Sequence, residues 1–144
     1  MQISYSLELN DACWFLNQAK GLPDIPKTKQ LLSRYLRATV VFSWVALEQM
    51  LGYAIDEYVA NGKLIRASVP SRLRDRLEHV LTMRGNQLDR PLFKKHRDLR
   101  NDITHSDGIF TISDVQATYN FCIDTIGAFY PRKVSVTYED VTYP

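Results

Sequence analysis

The run ATVVFSWVALEQMLGYAI, residues 38–55, decides the fold. Its apolar residues surround a helical axis instead of alternating, and it is too long for an ordinary strand. Glu48 and Gln49 interrupt it, so it reads as the buried helix of a bundle and not as a bilayer span. Upstream, Leu31, Leu32, Tyr35 and Leu36 continue one face back to about Thr28, and Asn61-Gly62 forms a C-terminal cap. About 30 residues of helix span about 45 Å, with Gly52 the place where a break would fall.

Four further helices are predicted around this one. The first covers about Leu7–Lys20, with Ala12, Phe15, Leu16 and Ala19 at helical spacing and Gly21 and Pro23 closing it. The third opens at Ser71 and turns Leu73, Leu77, Val80 and Leu81 inward, with arginines outward, until Gly85-Asn86. The fourth is capped by Asp89, with Pro91 in its first turn, and its inner face is Leu92, Phe93, His96, Leu99 and Ile103. SDG at 106–108 marks a turn, and Ser113 with Gln116 forms a capping box for a fifth helix running to about Phe129. The tail KVSVTYEDVTYP alternates like a strand with no evident partner, so it reads as an extended arm. The expected architecture is all-α: an up-and-down bundle of about five helices over residues 1–132, followed by an extended tail over 133–144.

A chain of 144 residues suits one domain, and 45% hydrophobic residues exclude a disordered one. Two cysteines are too few for a disulfide scaffold and lack metal-ligand spacing. MQISYSLELND has neither the basic leader nor the apolar core of a secretory signal. A cytoplasmic protein that does not engage a membrane is the expectation. The net charge of +2 hides an asymmetry: residues 63–100 carry eleven Lys or Arg against four Asp or Glu, the rest seven against twelve. Such a concentration of cations is either a solvated face or a surface for phosphate.

The basic segment leads into LRNDITHSDG, residues 99–108. Asn101 and His105 are four apart and so neighbours on a helix, while Arg100 lies five before His105, about 140° round and 7.5 Å along. Either arginine's reach or unwinding of the helix end would bring Arg100 and His105 together. A guanidinium binds phosphate oxygens as a fork, and an imidazole exchanges protons near neutral pH. Together they suit attack of a ribose 2′-OH on its own phosphodiester, without metal. One histidine cannot be base and acid at once, so two copies in a symmetric dimer would complete the chemistry.

Arg100-Asn101-Asp102-Ile103-Thr104-His105 resembles the R-x4-H signature of the HEPN superfamily, as does the layout of a helical bundle with a glutamate, Glu48, on a long apolar helix. The resemblance implies a metal-independent endoribonuclease leaving 2′,3′-cyclic phosphate ends and acting as a homodimer on RNA. It also implies a toxin–antitoxin or phage-defence setting, in which an antitoxin protein is a partner. Carried over, Arg100, Asn101 and His105 are catalytic, with Glu48 and Asp102 supporting them; Lys94, Lys95 and Arg97, in the basic stretch just before the motif, are the RNA-binding candidates. One subgroup has a tyrosine two residues after the histidine, a site of control by modification; this chain has Asp107 there.

Other readings stay open. Arg100 pairs with a carboxylate such as Glu48 while His105 merely caps the helix, and the chain is then a non-catalytic interaction or RNA-binding module. Duplex DNA binding through the helix carrying Arg72 and Arg76 is a third. His96, on an apolar face, reads as a core histidine, and Trp44 and Tyr53 as core aromatics. The histidines and carboxylates lack the spacing of a metal site, so neither a metal nor another cofactor is expected.

Overall fold

The computed structural model describes residues 3–105 and 110–135. Five helices follow in chain order: α1 (Leu7–Gly21), α2 (Lys29–Ala60), α3 (Leu73–Met83), α4 (Arg90–His105) and α5 (Ile112–Phe129). A short 3-10 turn, Pro26–Thr28, leads into α2, and another, Arg66–Ser68, precedes α3. The fold is an all-α bundle.

α2 is the axis. Its 32 residues extend about 48 Å, without a break at Gly52. Leu36, Val40, Trp44, Leu47, Leu51, Ile55 and Tyr58 are buried along it, chiefly against α1 and α5. By length and composition this helix could cross a bilayer, yet 56% of its most apolar window is buried inside the bundle. The Tyr58 hydroxyl donates to the Phe129 carbonyl at 2.5 Å, tying the end of α2 to the end of α5. Burial raises the Tyr58 hydroxyl's pKa, so it remains a donor.

The helix ends follow from local chemistry. Ser6 caps α1, its hydroxyl accepting from the Leu9 amide. α2 and α3 both close on left-handed glycines, Gly62 (φ 74°) and Gly85 (φ 79°). In each the glycine amide and the next one donate back to the last turn: Gly62 to Val59 and Lys63 to Tyr58, Gly85 to Thr82 and Asn86 to Leu81. Asp89 Oδ1 accepts from the Leu92 amide and opens α4.

Several expectations need correction. Leu92 is exposed instead of inward: α4 buries Phe93, His96 and Ile103, three positions that share one face, and Leu92 falls beside them. α5 is capped by Thr111, whose hydroxyl accepts from the Asp114 amide, and not by Ser113, which lies already inside the helix. α3 begins at Leu73, two residues after Ser71.

The tail does not start as a free arm. Lys133–Ser135 (β2) pairs in parallel with Ile3–Tyr5 (β1), Ile3 opposite Lys133 and Tyr5 opposite Ser135. Three residues are too few for alternation to register in sequence, so β1 is invisible there. The 106–108 turn, Asp107 and residues 136–144 of the tail lie outside the described residues.

Candidate functional site

α4 carries the site because its two faces differ. Phe93, His96 and Ile103 seat it on α2 and α5, and the intervening Lys94, Arg97 and Arg100 remain partly or wholly in solvent. Trp44 on α2 meets Phe93 edge-on at 5.7 Å, and Phe121 on α5 lies 6.2 Å from Trp44. This aromatic layer fixes the rotation of α4 about its axis.

Arg100 is held from three sides. Its guanidinium carbon lies 4.9 Å from the Trp44 ring centre, within cation–π range. Nη1 stands 3.4 Å from Glu48 Oε1, and Nη2 donates to Asn101 Oδ1 at 3.4 Å. Both polar distances are long, and Glu48 is 52% exposed, so this ion pair is loose and solvent-screened. A guanidinium positioned by an aromatic face and only lightly engaged by a carboxylate can turn to another anion at small cost.

The same arginine forms one wall of a cleft of about 260 Å³ between α2, α4 and the start of α3. Arg72, Arg74 and Arg97 line it with Arg100, against Glu48 and Asp75. Phe93 lies between Arg97 and the core, with the Arg97 guanidinium 5.7 Å from its ring centre. Four guanidiniums face two carboxylates in this space, which favours an anion.

The sequence candidates are therefore partly brought together. Arg100, Asn101 and Glu48 are in contact, and Arg97 joins them in the cleft. His105 does not join them directly. α4 remains helical through His105, so of the two alternatives unwinding does not occur, and the residue sits exposed at the last turn on the face of Asn101. Among the described residues it makes no hydrogen bond or ion pair, so it does not cap the helix with its side chain. Lys94 pairs with Asp98 at 2.7 Å, which lowers the Asp98 carboxyl pKa. Lys95 and Asp102 are exposed and do not line this cleft.

His96 is a core residue, as its position implied. It is 3% exposed, stacks on Phe121 at 4.9 Å and shares a 2.7 Å hydrogen bond through Nδ1 with the Thr118 hydroxyl. Burial, then the charge of Lys95, lowers its pKa. Among the described residues no group of three or more His, Cys, Asp or Glu converges as a metal site would require.

Arg72 and Arg74 are cleft residues that sequence reasoning placed only on a basic helix. They stand 28 and 26 residues before Arg100, and helical periodicity carries no information on contacts between α3 and α4. Their excess charge was the sole available signal. Compared with family models, curated proteins and solved structures, the chain matches none of them.

Proposed function

We propose that this chain is a HEPN-type endoribonuclease that cleaves RNA as a homodimer without a metal ion. The observation that carries the reading is the cleft in which Arg72, Arg74 and Arg97 surround Arg100, the arginine of the R-x4-H run. A cleft with surplus guanidinium charge is suited to a phosphodiester. The exposed His105, without a partner among the described residues, is available to a ribose.

The chemistry uses the chain's own groups. An imidazole takes the proton of the 2′-OH, the 2′-oxygen bonds to phosphorus, and the bond to the 5′-oxygen breaks. A second imidazolium protonates that leaving oxygen, giving a 2′,3′-cyclic phosphate and a 5′-hydroxyl. Arg100 neutralises charge gathering on the phosphoryl oxygens. Because His105 stands about 140° around α4 from Arg100, one chain provides an incomplete set, and a second copy supplies the other imidazole. The outer stripe of α2 beside Glu48 exposes Val41 and Val45, an apolar surface on which that copy would seat. The toxin or defence role, with an antitoxin as partner, follows from the resemblance alone.

The test is purified protein with end-labelled RNA in the presence of a chelator. Wild type is expected to cut and to sediment as a dimer, and His105→Ala to lose about 10²-fold or more in rate, the contribution of a general acid or base. An inert wild type, an equally active variant or a strict monomer sinks the enzyme reading. The separation of His105 from Arg100 favours a second reading, an RNA-binding module that does not cut. It predicts binding by wild type and His105→Ala alike, with no product.

A further inference from the structure

A second basic cleft, of about 330 Å³, adjoins the first. Arg90, Lys94 and Arg97 line it from the first half of α4, and Arg74 lines it from α3. Arg74, Phe93 and Arg97 belong to both clefts, so the two are one trough. Its origin is in the packing: α3 and α4 each rest on α2 and α5 instead of closing extensively on one another. The groove between them is left open, with Phe93 beneath it.

The cations along this trough are in register. Arg90, Lys94, Arg97 and Arg100 are spaced by four, three and three residues, a row along one side of α4 about 15 Å long. A nucleic-acid strand advances about 3.4 Å per nucleotide when stacked, so this row exceeds what one phosphate can occupy. Carboxylates hold the row in place but do not neutralise it. Glu78 is shared by Arg90 at 2.8 Å and Arg74 at 3.6 Å, and Asp98 by Lys94 at 2.7 Å and Arg97 at 4.0 Å. Arg74, Arg90, Lys94 and Arg97 keep between 38% and 68% of their side-chain surface in solvent, so these pairs are screened and readily exchanged for phosphate.

We propose that the second cleft is a phosphate subsite, holding the backbone of single-stranded RNA next along the strand from the phosphodiester at Arg100. The trough reads the backbone and not the bases: six cations line it against Glu48 and Asp75, the second cleft's own charged lining is cationic, and Phe93 is buried too deeply to stack on a base. Clefts of about 260 and 330 Å³ are small for a duplex, so the occupant assigned to them is one strand. The subsite rests on the RNA reading above for its natural ligand, but not for its charge geometry.

The probe is a fluorescein-labelled oligodeoxythymidylate of about 12 nucleotides, within the usual site sizes for single strands. It has the phosphates and no 2′-OH, so binding is measured without cleavage. Wild type is compared with Arg74→Gln/Arg90→Gln, with Arg90→Gln alone, and with Lys20→Gln on α1, which packs chiefly on α2 and α5. Each single-strand phosphate contact adds about 0.7 to the slope of log affinity against log salt, so the double variant should flatten it by about 1.4 and the single by about 0.7. Lys20→Gln should leave the slope unchanged, and a hairpin duplex should bind more weakly than the single strand. An unaltered slope in the double variant, or tighter duplex binding, overturns the subsite, whatever the RNA-cleavage assay gives. Flattening in a protein that cuts no RNA keeps the subsite and sinks the nuclease instead.

Discussion

α1, α2 and α5 pack along most of their lengths, whereas α3 and α4 rest on them over short stretches and carry the cations. The first group buries Leu9, Leu16, Leu47, Leu51 and Ile126 almost completely. The second buries only Leu77, Val80 and Leu81 of α3 and Phe93, His96 and Ile103 of α4, and leaves its arginines at least partly in solvent. The difference teaches how a small bundle can hold a strongly charged groove. Stability is concentrated in three helices, so the other two are free to diverge and keep like charges near each other at a modest cost.

The contrast can be broken most forcefully in the core. Leu47→Ala, at a fully buried position of α2, should cost about 2–5 kcal/mol in denaturant unfolding. Oligonucleotide affinity should be unchanged where the variant is still folded. A joint loss of both would mean that scaffold and groove are not separable.

A smaller effect should come from His96, where the two regions touch. Its pKa is lowered in the folded state, so the unfolded chain binds the proton first as pH falls below about 6.5. The stabilisation is therefore present above that pH and is lost on acidification towards the folded pKa. Thermal unfolding followed from about pH 7 to about pH 5 should show a falling Tm in wild type. His96→Asn should be less stable at neutral pH, with a flatter profile over the same range. An equally steep profile in the variant would move the titration elsewhere.

The smallest change should be Lys94→Gln. It removes an exposed, solvent-screened ion pair with Asp98, so Tm should barely move. The salt slope for the labelled strand should nevertheless flatten by about 0.7. A Tm loss exceeding the binding loss would make Lys94 part of the scaffold.

Much of the scaffold was legible in the sequence because helical period and end chemistry are local. The α2 axis, the glycine caps at Gly62 and Gly85 and the Asp89 cap all follow from residues within one turn of each other. Thr111 escaped notice because Ser113, two residues on, offers the same chemistry, and only backbone geometry tells them apart. The Arg100–Glu48 pair could be anticipated, since a glutamate on an apolar helix needs a cation. Trp44 beneath that guanidinium, and Arg72 and Arg74 across from it, could not. Their proximity depends on how α3 and α4 lie on α2, which no periodicity encodes. His105 was legible as chemistry and illegible as geometry: its spacing from Arg100 announced a gap, and an intact α4 keeps it open.

The parallel pairing of Ile3–Tyr5 with Lys133–Ser135 has a mechanical consequence. Because the two strands run the same way, tension entering at Ile3 and leaving at Ser135 runs along the ladder. The hydrogen bonds of the pair are then loaded together in shear, and none can be unzipped singly from one end. Two segments of three residues thus form a clasp over the ends of the bundle, resisting a pull that would otherwise reach α1 and α5 first.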